Sequence, residues 1–314
     1  MQKIDLRLAH GPSPLQAVAH PAFLERSLHL WVKRDDLLHL QISGNKWRKL
    51  QHNLLEAHRQ GCTKLITFGG AFSNHLAAVA AAGREFGFST LGVVSGEASS
   101  MGNPSLRFAQ SCGMELVFTS RASMRHLSVN ELLAELAIQT AGAYILPQGG
   151  SNCLALPGCA EIVAETAAQL GQFPDYFITA SGTGATLAGI ATGLPASSLA
   201  LGVSVLKGGF LQNEVEKLLA ACGEKPNANW QVLDGFHHGG YAKWTPELVA
   251  FINDFKRKTG VPLDPIYTGK AFFAAAKLAE NGFFPEGARV VLVHTGGLQG
   301  IAGFNERFGD LILA

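Results

Sequence analysis

The segment KLITFGG (64–70) predicts a buried β-strand that ends in two glycines, and LAAVAAAGREFG (76–87), which follows it, has the length and apolar spacing of a helix. Strands covered by helices on both faces are short, continuous apolar runs of this kind. The same unit recurs downstream. The later strand and helix segments are TLGVVSG (90–96), SLRFAQSCG (105–113), MELVFTS (114–120), VNELLAELAIQTAG (129–142) and AYILPQGG (143–150).

A second series of strands and helices follows, with strands at YFITASG (176–182), LALGVSVL (199–206) and VVLVHTGG (290–297). Alternation of strand and helix predicts crossover units and parallel sheets. We therefore expect an α/β protein of two domains, each an open, mostly parallel twisted sheet flanked by helices, with a ligand cleft between them. The smaller domain is predicted at 50–152, and the larger one at 1–49 with 153–314; LWVKRDDLL (30–38) is expected to join the larger sheet.

Composition excludes several classes of protein. Of the 314 residues, 47% are hydrophobic and 16% are charged, which is typical of a globular chain and not of a disordered one. The net charge of +1 does not suggest a nucleic-acid partner. No apolar run reaches the length of a membrane span, and MQKIDLRLAH (1–10) lacks the pattern of a secretory signal. We expect no membrane association and a cytoplasmic location.

Five scattered cysteines form no CxxC pair of the kind that a zinc site uses. No metal site is predicted. In a cytoplasmic protein, all five are expected to be reduced thiols.

The segment SGNKWRKLQHNLLEA (43–57) places Lys46 at the start of an amphipathic helix. A helix N-terminus disfavours a positive charge, and the neighbouring Arg48 and Lys49 are expected to lower the pKa of Lys46 further. A lysine with a lowered pKa suits Schiff-base chemistry. The alternative is a solvated basic helix start.

Two other loops have the composition of anion sites. FGGAFSNHLAAVAAAG (68–83) places Ser73, Asn74 and His75 at a helix N-terminus, whose free N–H groups bind carboxylate or phosphate; the alternative is a simple helix cap. ASGTGATLAGI (180–190) predicts a phosphate cup. A dinucleotide is disfavoured, since Leu187 stands where the third glycine of that fingerprint belongs and no acidic residue follows about 20 residues later.

Five segments occur in a characteristic order: SGNKWRKL, GGAFSNH, SGTGAT, LDPIYTGK and VHTGG. Together they resemble the D-cysteine desulfhydrase and 1-aminocyclopropane-1-carboxylate (ACC) deaminase family. Members of that family use pyridoxal 5′-phosphate (PLP) and have the tryptophan-synthase β fold, known as fold type II. The similarity extends from about residue 5 to residue 310, nearly the whole chain.

The resemblance implies a role for each matching residue. Lys46 would hold PLP as a Schiff base, Asn74 would bond the PLP 3-hydroxyl, and Thr295 would face the pyridine nitrogen. Tyr267 would lie against the pyridine ring and, with Lys46, Ser73 and Tyr241, take part in catalysis. The remaining assignments are the substrate contacts Ser73, Asn74, His75 and Tyr241, and the phosphate cradle Ser181, Gly182, Thr183, Gly184, Ala185 and Thr186.

The implied reaction is β-elimination and deamination of a small amino acid such as D-cysteine, giving pyruvate, ammonia and sulfide, in a homodimer. Lys46, a tyrosine or Ser73 would remove the Cα proton, depending on substrate handedness. Two alternatives remain. One is ACC ring opening, disfavoured because ACC deaminases have glutamate where this chain has Thr268. The other is a non-catalytic PLP- or amino-acid-binding protein, disfavoured because Lys46, Tyr241 and Tyr267 are all present.

The chain departs from the family pattern in two places. Ala71 and Phe72 replace the usual apolar residue and glutamine beside the expected carboxylate site, and the ring of Phe72 is expected to reshape the pocket. FHHGGYAK (236–243) has two adjacent histidines. They are expected to lie in a polar mobile loop, or else one of them contacts the substrate.

Overall fold

The computed structural model describes residues 11–225 and 229–313. The strands of this part are β1 (Leu15–Ala17), β2 (His29–Lys33), β3 (Lys64–Gly70), β4 (Ser89–Ser95), β5 (Met114–Thr119), β6 (Ala143–Ile145), β7 (Tyr176–Ser181), β8 (Leu199–Ser204), β9 (Asn229–Leu233) and β10 (Arg289–Val293). The predictions that concern residues 1–10, including the missing secretory signal, lie outside the described residues.

Helices connect nearly all of these strands. They are α1 (Pro21–Leu24), α2 (Asn45–Arg59), α3 (Asn74–Phe86), α4 (Pro104–Ser111), α5 (Arg121–His126), α6 (Val129–Glu135), α7 (Ala155–Leu170), α8 (Ala185–Gly193), α9 (Leu211–Ala221), α10 (Pro246–Thr259), α11 (Thr268–Glu280) and α12 (Gln299–Phe308). Short 3₁₀ turns cover Asp35–Leu37, Ala98–Gly102 and Gln148–Gly150. Among the described residues, no helix combines the length and the apolar character needed to cross a bilayer.

The strands form two sheets, in the orders β1-β2-β10-β7-β8-β9 and β5-β4-β3-β6. Only the edge strand β1 runs antiparallel to its neighbour β2; every other described pair is parallel. The predicted fold class is therefore confirmed. β2 pairs with β10, so the segment around residues 30–38 begins in the larger sheet, as its sequence indicates.

Buried apolar residues hold the smaller sheet against the helices that cover it. β3 and β4 are buried along most of their length, and α3 covers them with an alanine-rich face. The boundaries of α3 follow ordinary capping chemistry: the Ser73 side chain accepts from the Leu76 amide, and Gly87 ends the helix in the left-handed conformation. Trp47, Leu50 and Leu54 of α2 belong to the same core as α3. The helix that carries Lys46 therefore packs on the smaller sheet.

The expectation of five reduced thiols is wrong for two of them. Cys153, just before α7, and Cys222, at the end of α9, form a disulfide, while Cys62, Cys112 and Cys159 are free. The two partners are 69 residues apart in the chain. They meet because α7 and α9 both pack against α8. The local sequence around each cysteine does not indicate this contact.

Candidate active site

A cavity of about 1420 Å³ lies where the loops after β3, β4, β5 and β7 converge with the starts of α2 and α3. It is lined by nearly all of the residues assigned from the resemblance. Ala185 is the exception: it is fully buried at the start of α8 and does not line the cavity. Those that do are Lys46, Ser73, Asn74, His75, Ser181, Gly182, Thr183, Gly184, Thr186, Tyr241, Tyr267 and Thr295.

Lys46 lies in the first turn of α2 and is held by its neighbour. Its Nζ donates to Asn45 Oδ1 at 2.8 Å, and Asn45 Nδ2 donates in turn to Thr186 Oγ1 at 2.8 Å. Burial, with a further contribution from the charge of Lys49, lowers the pKa of Lys46 to about 7. Asn45 was not singled out from sequence. A polar side chain buried at a helix start beside a reactive lysine is the signal that identifies it.

Lys49 lies one turn further along α2 and faces the same cavity. It is buried, its Nζ donates to the Gly149 carbonyl at 3.2 Å, and no carboxylate of the described residues lies within ion-pair distance of it. Burial lowers its pKa. A buried cation without a counter-charge is costly, and an anion bound in the cavity would stabilise it.

Arg48 points away from the cavity into a buried ion-pair network. Its guanidinium contacts Asp35 at 3.0 Å and Glu165 at 2.5 Å, and Lys33 contacts Glu165 at 2.7 Å. Burial opposes the charge of Arg48, but Asp35 and Glu165 outweigh it and raise its pKa. Arg48 therefore does not depress the pKa of Lys46 as its sequence position suggests. It fixes α2 against β2 and α7.

Gly44 allows the first turn of α2 to approach the end of β10. Its φ of 68° and ψ of −148° fall in a region essentially restricted to glycine. A Cβ at this position would lie 2.0 Å from the carbonyl oxygen of Thr295. The Asn45 amide donates to that same oxygen at 3.3 Å. The backbone contact holds Lys46 and Thr295 on one wall of the cavity.

The N-terminus of α3 forms a second wall. Ser73 Oγ accepts from the Leu76 amide at 3.3 Å, so Ser73 is a helix cap whose own O–H proton remains available to a ligand. Asn74 Oδ1 accepts from Gln299 Nε2 at 3.0 Å. His75 is buried with no partner for either ring nitrogen, and burial together with Lys46 and Lys49 lowers its pKa well below the usual range.

The loop between β7 and α8 has the features of a phosphate cup. Gly184, at φ 84°, packs so closely that a Cβ there would lie 2.5 Å from Val215. The Thr183 hydroxyl shares a 2.5 Å hydrogen bond with Ser151, and the first-turn amides of α8 have no helical partner. Ser181 Oγ has no hydrogen-bond partner among the described residues. Amides, hydroxyls and the nearby Lys49 suit the phosphate of PLP.

Two tyrosines, Tyr241 and Tyr267, also line the cavity. Their ring centroids are 6.1 Å apart, and Tyr267 lies 3.6 Å from the position that a Cβ at Gly182 would occupy. Asp264 accepts from the Tyr267 amide at 2.8 Å, and buried Lys270 donates to the carbonyl of Gly240, next to Tyr241, at 2.8 Å. Burial raises the pKa of both phenols, so each remains protonated at neutral pH.

Three further positions concern the substrate. Thr268 is fully buried, does not line the cavity, and donates its hydroxyl to Asp264 at 2.6 Å. Phe72 lines the cavity, and its carbonyl accepts from Tyr241 at 3.5 Å. His237 and His238 do not line it: His237 accepts from the Gly239 amide, and His238 pairs with Thr245. The two histidines have structural partners within their own loop.

Comparison with known proteins identifies the class of enzyme. The family model described as "Pyridoxal-phosphate dependent enzyme" matches residues 6–296. The chain belongs to this family. The cofactor expected from the resemblance is thereby confirmed as PLP.

Several similar proteins carry more specific names. A putative ACC deaminase of Pyrococcus furiosus is 35% identical over 91% of this chain and 88% of its own length. A bifunctional D-cysteine desulfhydrase/ACC deaminase of Arabidopsis thaliana is 30% identical over 94% of this chain and 78% of its own. A crystal structure of an ACC deaminase homologue superposes with a TM-score of 0.83 at 28% identity, covering 98% and 95% of the two chains.

Replacing Gly44 by alanine should separate α2 from the end of β10. Gly61→Ala is the control, because Gly61 also has a positive φ of 72° but nothing lies within 4 Å of its Cβ position. The control should cost about 1–2 kcal/mol of unfolding free energy. Gly44→Ala should cost about 1–3 kcal/mol more through steric overlap and should also weaken PLP binding. Denaturant titration and PLP titration measure both; equal losses in the two variants would contradict the contact.

The lowered pKa of Lys46 predicts the pH at which its amine becomes reactive. In cofactor-free enzyme, acetylation of Lys46, followed by peptide mass spectrometry, should rise with a midpoint near pH 7, far below that of an exposed lysine. Lys49→Met removes a like charge, so the midpoint should move to higher pH. A midpoint near 10 in the unaltered enzyme, or one that Lys49→Met leaves in place, would refute this assignment.

Proposed function

We propose that the enzyme catalyses β-elimination from a small β-substituted amino acid of the D-cysteine type, releasing pyruvate, ammonia and sulfide. The observation that carries the proposal is the convergence in one cavity of a lysine of lowered pKa, the N-terminus of α3 and a phosphate cup. The names of the similar proteins include D-cysteine desulfhydrase, which supports the substrate class.

The residues that would hold PLP fit its chemistry. Lys46 would bind it covalently, Thr183 and Thr186 with the amides of 182–184 would hold its phosphate, and Lys49 would supply the counter-charge. Asn74 would bond the 3-hydroxyl. PLP supplies an electron sink for the charge that proton loss leaves at the substrate Cα. The Thr295 hydroxyl would face the pyridine nitrogen and, because it carries no charge, would moderate that sink.

The substrate carboxylate is assigned to the N-terminus of α3. The hydroxyl of Ser73 and the first-turn amides at Asn74 and His75 donate hydrogen bonds there, and the helix dipole favours a negative charge. The neutral ring of His75 lies beneath this turn, against Lys49 and Gly150. The carboxylate would thereby fix the orientation of the substrate Cα.

Lys46 is our assignment for the base at Cα. A pKa of about 7 leaves much of the amine neutral at physiological pH, as a general base requires. Tyr241 and Tyr267 have raised pKa values, so they are proton donors rather than acceptors at that pH. One of them would donate toward the departing β-substituent. Lys270 and Asp264 hold the backbone beside the two tyrosines in place.

The second candidate reaction is ACC ring opening, which several similar proteins carry in their names. Thr268 argues against it. Thr268 is fully buried and its hydroxyl donates a hydrogen bond to Asp264. Thr268 therefore offers the cavity neither a carboxylate nor a free proton donor. Elimination from a β-substituted alanine needs no group at that position.

The assembly and location that we expected stay proposals. We propose a homodimer, supported by the family resemblance and by the exposed side chains of Leu37 and Leu40 beside the start of α2. We propose a cytoplasmic location from the composition of the chain; the three free thiols are typical of that compartment, whereas the disulfide between Cys153 and Cys222 is uncommon there.

The domain boundaries are also a proposal: 1–49 with 153–314, and 50–152. The two separate sheets support this division. The boundary at 49/50 crosses α2, whose first turn contacts the larger sheet while Leu50 and Leu54 pack on the smaller one.

A panel of D- and L-amino acids tests the proposed reaction. The PLP-loaded enzyme should form pyruvate from cysteine or 3-chloroalanine of one handedness, and Lys46→Ala should lose at least about 10³-fold in rate because both the covalent attachment and the base are removed. Keto-acid production is measured by a coupled dehydrogenase assay. Formation of 2-oxobutyrate from ACC, with no pyruvate from any β-substituted alanine, would favour the second candidate instead.

A further inference from the structure

The mouth of the cavity is strongly cationic. Beyond Lys46 and Lys49 in its interior, four exposed cations line it: Arg121, Arg125, Lys243 and Arg307. Within the described residues, Glu97 is the only carboxylate that lines the cavity. The whole chain has 25 Lys and Arg against 24 Asp and Glu, so this excess is a local feature and not a consequence of overall charge.

The four cations come from separate parts of the fold. Arg121 and Arg125 are one turn apart on α5, which follows β5 in the smaller sheet. Lys243 lies two residues after Tyr241 in the loop before α10, and Arg307 is in the last turn of α12. The cavity is thus bordered by positive charge on both of its sides.

None of these four side chains has an ion-pair partner among the residues that the structure describes. The guanidinium of Arg307 instead lies over the ring of Phe308, 5.1 Å from its centroid. Cations that line a cleft and lack partners concentrate anions there and raise association rates.

The α5 cations follow a different strand from the one that leads to Ser73. β5 and β3 are separated by one strand, so the loops after them lie about 10 Å apart. A carboxylate at Ser73, after β3, would leave the charges of Arg121 and Arg125 free for a second group. The PLP phosphate is not that group, because the 182–184 cup and Lys49 lie in the interior of the cavity.

We propose that the preferred substrate carries a second anionic group on its β-substituent, such as a sulfate, sulfonate or carboxylate. A small amino acid with an uncharged side chain is a zwitterion of zero net charge, so the field at the mouth would attract it little. An amino acid with net negative charge would be attracted, and with its α-carboxylate at Ser73 its β-substituent would extend toward Arg121 and Arg125. This inference rests on the proposed β-elimination and keeps its chemistry, but the preferred substrate would carry an anionic β-substituent in place of the thiol of D-cysteine.

The reaction balances for serine O-sulfate. The Cα–H bond breaks with transfer of the proton to Lys46, and the Cβ–O bond breaks with its electron pair departing on sulfate. The remaining enamine takes up a proton at Cβ, and water hydrolyses the resulting imine to pyruvate and ammonium. No oxidant or reductant is required.

The test compares kcat/KM of the PLP-saturated enzyme for serine O-sulfate and for the uncharged 3-chloroalanine, each as both enantiomers. The double variant Arg121→Gln, Arg125→Gln removes two mouth charges. The control Arg257→Gln, Lys258→Gln removes two exposed charges of α10 outside the cavity. Because PLP is saturating, an effect on cofactor loading does not enter the comparison.

We expect the mouth variant to lose about tenfold or more with serine O-sulfate and less than about twofold with 3-chloroalanine. The control should keep both values. Added salt should lower kcat/KM of the unaltered enzyme for serine O-sulfate much more than its kcat/KM for 3-chloroalanine. Equal losses with both substrates, or no loss, would overturn the anionic-substrate inference while leaving β-elimination intact.

Failure of the proposed reaction has a different signature, since then neither compound yields pyruvate in any variant. Calorimetric titration with serine O-sulfate and with serine still decides the inference in that case. The inference is supported if serine O-sulfate binds more tightly than serine and the mouth variant abolishes this difference. It is refuted if the two compounds bind equally.

Discussion

The buried ion pairs of Arg48 hold in place the helix that carries Lys46. Arg48 contacts Asp35, next to β2, and Glu165 of α7, and so ties α2 to the larger sheet while the rest of the helix packs on the smaller one. Removing one partner of such a pair costs about 3–5 kcal/mol, because the other charge stays buried. Since Lys46 and Lys49 share α2 with Arg48, their positions depend on this network.

The cavity contains polar groups that the protein itself does not satisfy. Lys49 lacks a counter-charge, His75 lacks a partner for both ring nitrogens, and Ser181 Oγ is unpaired, all within the described residues. Buried polar groups are normally hydrogen-bonded, so such a cluster is expected where a ligand completes it. The lowered pKa of Lys46 has the same origin, because burial and Lys49 both disfavour its charge.

The fold could be predicted from local sequence patterns, and most residues that line the cavity could be named from the family resemblance. Short apolar runs predict the parallel strands, and the glycines of 180–190 predict the phosphate cup. Pairings between distant segments could not be predicted. Asp35 and Glu165 around Arg48, the bond between Cys153 and Cys222, and the hydrogen bond from Asn45 to Thr186 all join residues brought together only by the packed fold.

The central claim is that Lys46, and no other buried lysine, binds PLP. Reduction of the PLP-loaded enzyme with borohydride makes the linkage permanent, and peptide mass spectrometry then locates the pyridoxyl group. The account predicts modification of Lys46 alone. Modification of Lys49 or Lys270, which are buried near the site, or the absence of any modified peptide, would contradict it.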